Sequence, residues 1–259
     1  MTISKFETIL VDRKDRVGII TLNRPDHLNA MNRTMHKELR DQMETFNDDS
    51  TIGAIVITGS GRAYSAGADI SDFENREFRG SPVDSFLPKW PDFIKYSKPV
   101  ICALNGVAVG LGITMPLSCD IRIMAESAKA SFRFAYIGLV PEYASSHLLI
   151  QAVGHGKAME FMLTGKMIDS KEALSSGLVN YVYPDDVMLG KAIELASQIA
   201  FNPEWQLGEI KKMMREHQFL DDTNQVMENE MDIFNEAAKT DAHKEFLTSF
   251  REKRKPNYH

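Results

Sequence analysis

Short apolar runs alternate with amphipathic stretches along the first 200 residues. Val17–Leu22, 54–58 and Val100–Leu104 are nearly continuous apolar runs. Such runs predict short strands, and their lack of polar alternation is typical of strands covered on both faces. Residues 32–46 predict a helix, because apolar side chains recur every four positions and Asn32 is a suitable N-cap. The order strand, helix, strand favours an α/β core.

The pattern continues in the middle of the chain. Residues 113–118 predict a short helix, and Ile121–Ala125 and 130–132 predict further strands. A capping-box pattern, Asp169-Ser-Lys-Glu, predicts another helix that Gly177 ends. Residues 178–182 predict a late strand.

The pattern changes after about residue 200. From Pro203 to about Lys253 the chain predicts consecutive amphipathic helices and no strand. We therefore predict two parts: residues 1–200 as an α/β core, and residues 201–259 as a helical region.

Composition and net charge disfavour some classes of partner. The chain has 259 residues and a formal net charge of −6, so no general positive field favours nucleic acid or an anionic membrane. No apolar stretch approaches the roughly 20 residues that span a bilayer. The two cysteines, Cys102 and Cys119, lie in apolar stretches and predict buried, reduced thiols. We expect a cytoplasmic protein without nucleic-acid or membrane partners.

Three small-residue turns are candidates for chemistry. Residues 65–69 and 105–112 each follow a strand and contain glycine, so two loops could direct backbone N–H groups at one oxygen. Taken alone, the spacing of these turns favours the structural alternative, which is an ordinary turn or the close packing of a helix on a strand. Glu142 follows Pro141 in an apolar setting, where burial would raise its pKa and suit it to act as a general base. A helix-start acid at the surface is the structural alternative.

Five blocks resemble the crotonase (enoyl-CoA hydratase/isomerase) family in the family's order. They are residues 23–31 (NRPDHLNAM), 65–69 (SAGAD), 98–122 (KPVI through NG to SCDIR), 163–184 (LTG through GLVN to Pro184) and 250–256 (FREKRKP). Together they cover nearly the whole chain, and their number and order make the resemblance specific.

The resemblance implies a fold and a ligand. The fold would be a crotonase-like spiral of β-β-α units followed by a C-terminal helical trimerisation region. The chain would form a homotrimer or a dimer of trimers. The ligand would be an acyl-CoA thioester, with CoA as part of the substrate and no tightly bound cofactor or metal.

The resemblance also implies site residues. The backbone N–H groups of Ala68 and Leu111 would form the oxyanion hole; relatives often carry glycine at the second position. Arg24 and His27 would lie near the CoA phosphates. The resemblance implies substrate or CoA binding at ten further positions, of which the last two would act on the nucleotide end of a neighbouring subunit's ligand: Leu28, Ala30, Ala66, Asp69, Ile70, Gly110, Thr114, Pro141, Phe250 and Lys253.

Two departures from the hydratase pattern point to a different reaction. Typical hydratases carry a glutamate at the position of Thr114 and a second one within the stretch that reads here Phe-Arg-Phe-Ala-Tyr, residues 132–136. Neither place has an acid. Glu142 instead resembles the catalytic glutamate of Δ3,Δ2-enoyl-CoA isomerases. The resemblance thus implies isomerisation with one base, and Thr114 as a wall of the acyl pocket.

The sequence also fits other functions. The chain could be an enoyl-CoA hydratase that uses Glu142 and water, or a protein that binds acyl-CoA without catalysis. RNA binding is disfavoured by the negative charge. Residues 75–90 predict a mobile surface segment near the site, and Phe73, Phe86, Phe134, Tyr136 and Met115 are candidate pocket walls. His147 and His155 are interpreted as structural.

Overall fold

The structure is a computed structural model that describes residues 6–71 and 90–259. Phe73, Phe86 and all but the last residue of the predicted segment 75–90 lie outside the described residues. The strands are β1 Ile9–Lys14, β2 Val17–Leu22, β3 Ala54–Gly59, β4 Ala63–Ser65, β5 Val100–Leu104, β6 Val107–Val109, β7 Ile121–Ala125, β8 Lys129–Ser131, β9 Ile168–Asp169 and β10 Tyr181–Tyr183.

Helices separate and cover these strands. In chain order they are α1 Arg33–Asp48, α2 Trp90–Tyr96, α3 Leu111–Leu117, α4 Ser145–Val153, α5 His155–Thr164, α6 Ser170–Ser175, α7 Asp185–Ala200, α8 Glu204–Glu216, α9 Thr223–Ala237 and α10 Asp241–Glu252. Three-residue 3-10 helices occur at Pro25–His27, Ala135–Ile137 and His217–Phe219.

Two sheets form the α/β core. The larger has the order β1-β2-β3-β5-β7-β10, with β1 antiparallel to β2 and the other pairs parallel. The smaller has the order β4-β6-β8-β9, in which β4, β6 and β8 run parallel. The predicted α/β class is confirmed.

The three apolar runs form β2, β3 and β5 of the larger sheet, as their composition predicts. All five residues of β5 are buried, as are the first five of β3. Helix α1 buries Met35, Leu39 and Met43, and the Asn32 side chain caps it by accepting the Met35 N–H. The two buried cysteines are free thiols.

Several predicted boundaries were wrong. Helix α3 begins at Leu111, two residues before the predicted start. The late strand covers Tyr181–Tyr183 rather than 178–182, because the Val179 N–H donates to Ala173 O in the preceding turn. Trp90 is buried in α2 rather than part of a surface segment.

Four strands, β1, β4, β6 and β9, were not predicted from the sequence. Strands β4 and β6 have three residues each; Ser65 of β4 and all of β6 lie in stretches that the sequence predicts as turns. Strand β1 shows a half-exposed pattern with charged residues at its end, since it lies at the edge of its sheet. Short strands of this kind depend on partners distant in sequence, and no local pattern reveals them.

The C-terminal part is helical, as predicted. Helix α7 places Ala192, Ala196 and Ala200 against the larger sheet, and helices α8 to α10 follow. Large apolar side chains are exposed on these last helices, among them Met214, Met231, Phe234 and Phe250. The division at residue 200 stays a prediction. No helix within the described parts of the chain is both long and apolar enough to cross a membrane.

Candidate active site

The parallel strands of the smaller sheet bring two small-residue loops to one edge. Residues 66–69 follow β4, and Gly110 and Leu111 follow β6. Parallel strands place the residues that follow them at the same edge, where α/β proteins commonly bind ligands. The two predicted oxyanion segments are therefore neighbours.

Gly67 shows how closely the loops approach. Its φ is +104°, and a methyl group added there would lie 2.8 Å from Val109 O and 3.5 Å from Leu111 N. A side chain at this position would therefore separate the segments that carry Ala68 and Leu111. Gly112 is equally tight, since an added methyl group would lie 2.2 Å from Ser65 O. These glycines therefore allow close packing of the two loops, and the same packing brings the predicted oxyanion segments together.

The N–H groups of Ala68 and Leu111 have no acceptor among the described residues. Ala68 forms a parallel bridge with Met31, in which Met31 N donates to Gly67 O at 2.8 Å and Asp69 N donates to Met31 O at 3.1 Å. The bridge leaves the Ala68 N–H unused. Leu111 is the first residue of α3, and the N–H groups of a first helical turn have no partner within the helix. The two donors are thus available to a ligand oxygen.

Asn29 holds the first of these loops. Its amide nitrogen donates to Ser60 O at 2.9 Å and Ala63 O at 2.8 Å, and its backbone oxygen accepts from the Ser65 hydroxyl at 2.8 Å. Asn29 is fully buried and has a left-handed φ of +54°. The sequence pattern NRPDHLNA contains Asn29 but did not reveal this role.

Arg24 and Asp69 form a half-buried ion pair beside the loop. An Arg24 guanidinium nitrogen donates to Asp69 Oδ2 at 2.7 Å and to Ala30 O at 2.6 Å. Burial raises the pKa of Asp69, but hydrogen bonds from Arg24 and Ser71 outweigh it and leave the pKa below its usual value. Arg24 thus ties two segments together, and its predicted contact with CoA phosphate stays a prediction.

The remaining predicted binding residues lie in three places. Leu28 and Ala66 are joined by a 2.9 Å hydrogen bond from Ala66 N to Leu28 O; His27 and Ile70 are exposed beside them. Gly110 precedes α3 with a φ of +53°, and Pro141 is exposed next to Glu142. Phe250 and Lys253 are exposed at the end of α10, where their described contacts are to other C-terminal residues, so one chain does not bring them to this edge.

Glu142 lies against the helix that begins with Leu111. The hydroxyl of Thr114, which is fully buried in α3, donates to Glu142 Oε1 at 2.5 Å. Burial raises the pKa of Glu142 to about 7, and the Thr114 hydrogen bond opposes this rise. A carboxyl group with this pKa can accept and return a proton near neutral pH.

The turn after Glu142 is strained. Tyr143 and Ala144 both have left-handed φ angles, of +54° and +56°, before α4 begins at Ser145. Such residues other than glycine are uncommon and cost roughly 1–3 kcal/mol each, and they cluster at functional sites. The local run Pro-Glu-Tyr-Ala-Ser contains no glycine that would have indicated this turn.

Other polar residues fall into structural roles. His147 stacks on Phe219, with ring centroids 5.4 Å apart. Asp120 accepts from Val100 N at 2.8 Å and pairs with Lys211 and Arg215, both at 2.7 Å, which joins α8 to the core. No group of three His, Cys, Asp or Glu side chains in the described ranges is arranged to hold a metal ion.

Comparison with known proteins agrees with this architecture. The model of the family described as enoyl-CoA hydratase/isomerase matches residues 12–259. A probable enoyl-CoA hydratase from Mycobacterium bovis is 36% identical over 253 residues, which cover 98% of each chain. Another from Rhizobium meliloti is 40% identical over 195 residues, which cover 75% of this chain and 76% of the relative.

A solved structure shows the same fold. An enoyl-CoA hydratase subunit from Geobacillus kaustophilus superimposes with a TM-score of 0.89 at 31% identity, covering 99% of both chains. The predicted crotonase fold is therefore confirmed. This chain belongs to the enoyl-CoA hydratase/isomerase family.

Proposed function

We propose that the protein moves the double bond of a 3-enoyl-CoA to the 2-position, with Glu142 as the base. The observation that carries this proposal is the buried Glu142 carboxyl group, with its pKa near 7, held against the helix that presents the Leu111 N–H.

The chemistry requires one base and an oxyanion site. Glu142 removes a proton from C2 of the thioester, and the electrons move towards the thioester oxygen to give a dienolate. The protonated Glu142 then returns the proton to C4, which leaves the double bond between C2 and C3. The N–H groups of Ala68 and Leu111 would stabilise the negative oxygen, and the loss of one such donor typically costs roughly 2.7–4 kcal/mol.

Hydration is the second candidate, because the two curated relatives compared above carry hydratase names. Adding water requires a base for the water and an acid for C2. The two positions where hydratases carry glutamates are here the buried Thr114 and the segment 132–136, which has no acid. Isomerisation needs neither, so the residues favour it.

The test follows conjugated-enoyl absorbance with 3-hexenoyl-CoA and, separately, 2-hexenoyl-CoA. A rise in absorbance with 3-hexenoyl-CoA, together with little loss of absorbance with 2-hexenoyl-CoA, would support isomerisation. Loss with the second would favour hydration. Binding of both without change would indicate a protein that holds acyl-CoA without this chemistry.

Variants of Glu142 sharpen the test. Glu142→Gln keeps the shape and removes the base, so we expect turnover to fall by roughly 10²–10⁴ while CoA-thioester binding persists. Glu228→Gln, at an exposed position on α9, is the matched control and should leave turnover unchanged. Turnover by Glu142→Gln at the wild-type rate would show that Glu142 is not the base.

Assembly into a homotrimer or a dimer of trimers is part of the proposal. The exposed apolar side chains of α9 and α10 support it, because large apolar patches commonly mark interfaces. Light scattering at micromolar concentration should give three or six times the mass of the chain. In such an assembly Phe250 and Lys253 could reach a neighbouring subunit's nucleotide.

A further inference from the structure

Arg133 has no anionic partner among the residues that the structure describes. It is half-buried, and among the described residues it forms no ion pair and no hydrogen bond from its side chain; its Nε is buried without an acceptor. The guanidinium groups of Arg24 and Arg215 pair with carboxylates, and that of Arg122 donates to backbone carbonyls such as Leu178 O. A buried donor without an acceptor is costly, and a ligand that supplies an acceptor removes that cost.

Arg133 lies at the same edge as the candidate oxyanion hole. It follows β8, just as Ala68 follows β4 and Leu111 follows β6, and the three strands run parallel. Neighbouring strands lie about 4.8 Å apart, so the end of β8 is roughly 10 Å from the end of β4. The Gly110 N–H donates to Ser131 O at 3.0 Å, which joins the segment before Arg133 to the start of α3.

The surroundings of Arg133 suggest the class of ligand. Its guanidinium carbon lies 4.3 Å from the centre of the Tyr136 ring. Stacking on the ring leaves the N–H groups at the edge of the guanidinium plane free for a planar, two-pronged acceptor. The same loop exposes apolar side chains, with Tyr136 75% and Val140 78% exposed, and it leads directly to Glu142.

An apolar surface beside a cation that has no ion-pair partner within residues 6–71 and 90–259 fits a methylene chain that ends in a carboxylate. We propose that Arg133 binds the distal carboxylate of a dicarboxylic acyl group, so that the preferred substrates are CoA thioesters of dicarboxylic acids. This inference rests on the proposed acyl-CoA function. A CoA phosphate is the other oxyanion that could supply the acceptor, and the apolar side chains around Arg133 favour the acyl carboxylate.

The test measures the affinities of adipyl-CoA, hexanoyl-CoA and free CoA by calorimetry. In Arg133→Met we expect adipyl-CoA to bind about 10- to 100-fold more weakly, with hexanoyl-CoA and CoA unchanged. Arg133→Lys keeps the positive charge but lacks the planar guanidinium group that binds a carboxylate through two N–H groups. We therefore expect its loss of adipyl-CoA affinity to be smaller than that of Arg133→Met. Arg13→Met, at an exposed arginine on β1, is the control and should change none of the three. Circular dichroism confirms that each variant folds.

Three other outcomes would contradict the proposal for Arg133, and each has a different meaning. Equal weakening of all three ligands would assign Arg133 to a CoA phosphate. Unchanged adipyl-CoA affinity, in a protein that binds hexanoyl-CoA and isomerises 3-hexenoyl-CoA, would remove Arg133 from ligand binding and leave the proposed function standing. Failure of the wild-type protein to bind any of the thioesters would end both proposals.

Discussion

The hydroxyl of Thr114 donates a 2.5 Å hydrogen bond to Oε1 of Glu142. The interpretation of Thr114 as a pocket wall missed this contact, because the two residues are 28 positions apart in the chain. A hydrogen bond to the charged form of an acid stabilises that form, whereas burial destabilises it. Burial dominates here and the pKa is about 7, so Glu142 is close to half-ionised at neutral pH.

Removing the Thr114 hydroxyl should shift the pH dependence of turnover. Glu142 must be ionised to act as a base, so kcat/KM should rise with pH and reach half its maximum near pH 7. Thr114→Val removes the donor, and we expect the midpoint to move up by about one pH unit. Thr114→Ser keeps a hydroxyl and should keep the midpoint. An unchanged midpoint in Thr114→Val would show that the hydrogen bond does not set the pKa.

Glu142 should also make stability depend on pH. Its folded pKa, about 7, lies above the ordinary value of 4.5, so ionisation destabilises the folded chain as pH rises from about 4.5 through 7. Glu142→Gln cannot ionise. Its gain in free energy of unfolding over the wild type should therefore be about 2–3 kcal/mol larger at pH 8 than at pH 5. Urea titrations at both pH values measure this, and an equal gain at both would contradict the raised pKa.

Gly67 should tolerate no side chain. Gly67→Ala would place a methyl group 2.8 Å from Val109 O at a φ of +104°. We expect a loss of roughly 2–4 kcal/mol in unfolding free energy, from the strained φ and the close contact together, and a marked loss of thioester binding. Gly138→Ala is the matched control, since its φ is also positive but no atom lies within 4 Å of the added methyl group. It should cost only about 1 kcal/mol. Equal effects would mean that conformation alone, not the approach of Leu111, matters at Gly67.

The buried ammonium of Lys211 should contribute to the stability of the fold, whereas that of Lys212 should contribute little. Lys211 Nζ contacts Asp120 Oδ2 at 2.7 Å, Ser97 O at 2.9 Å and Lys98 O at 3.1 Å. Lys211→Met takes the ammonium donor from Ser97 O and Lys98 O, while Asp120 keeps Arg215 and the Val100 N–H, so the loss should be roughly 2–4 kcal/mol. Lys212→Met, at a half-buried position of α8 where the ammonium makes only a 4.0 Å contact with Glu209, should stay within about 0.5 kcal/mol. Thermal unfolding of both variants makes the comparison, and a small effect at Lys211 would contradict this role of its ammonium.

Some of the fold could be predicted because the information is local. The apolar runs of β2, β3 and β5 and the four-residue repeat in α1 are visible without tertiary contacts. Strands β4 and β6 could not be predicted in this way. Each has three residues that become a strand only by pairing with segments more than 20 residues away: β4 pairs with β6, and β6 also pairs with β8.

The sequence by itself determined the fold class, the family resemblance, and the candidate status of Glu142, Ala68 and Leu111, since these depend on residue types and their order. Only the tertiary structure decided that Gly67 and Leu111 are neighbours, that the Thr114 hydroxyl donates to Glu142, and that the Arg133 side chain has no ion-pair or hydrogen-bond partner among the described residues. The physical reason is that hydrogen bonding, desolvation and close approach depend on distances between segments. Composition and periodicity report the propensity of one segment at a time, whereas the pKa of a buried carboxyl group depends on everything packed around it.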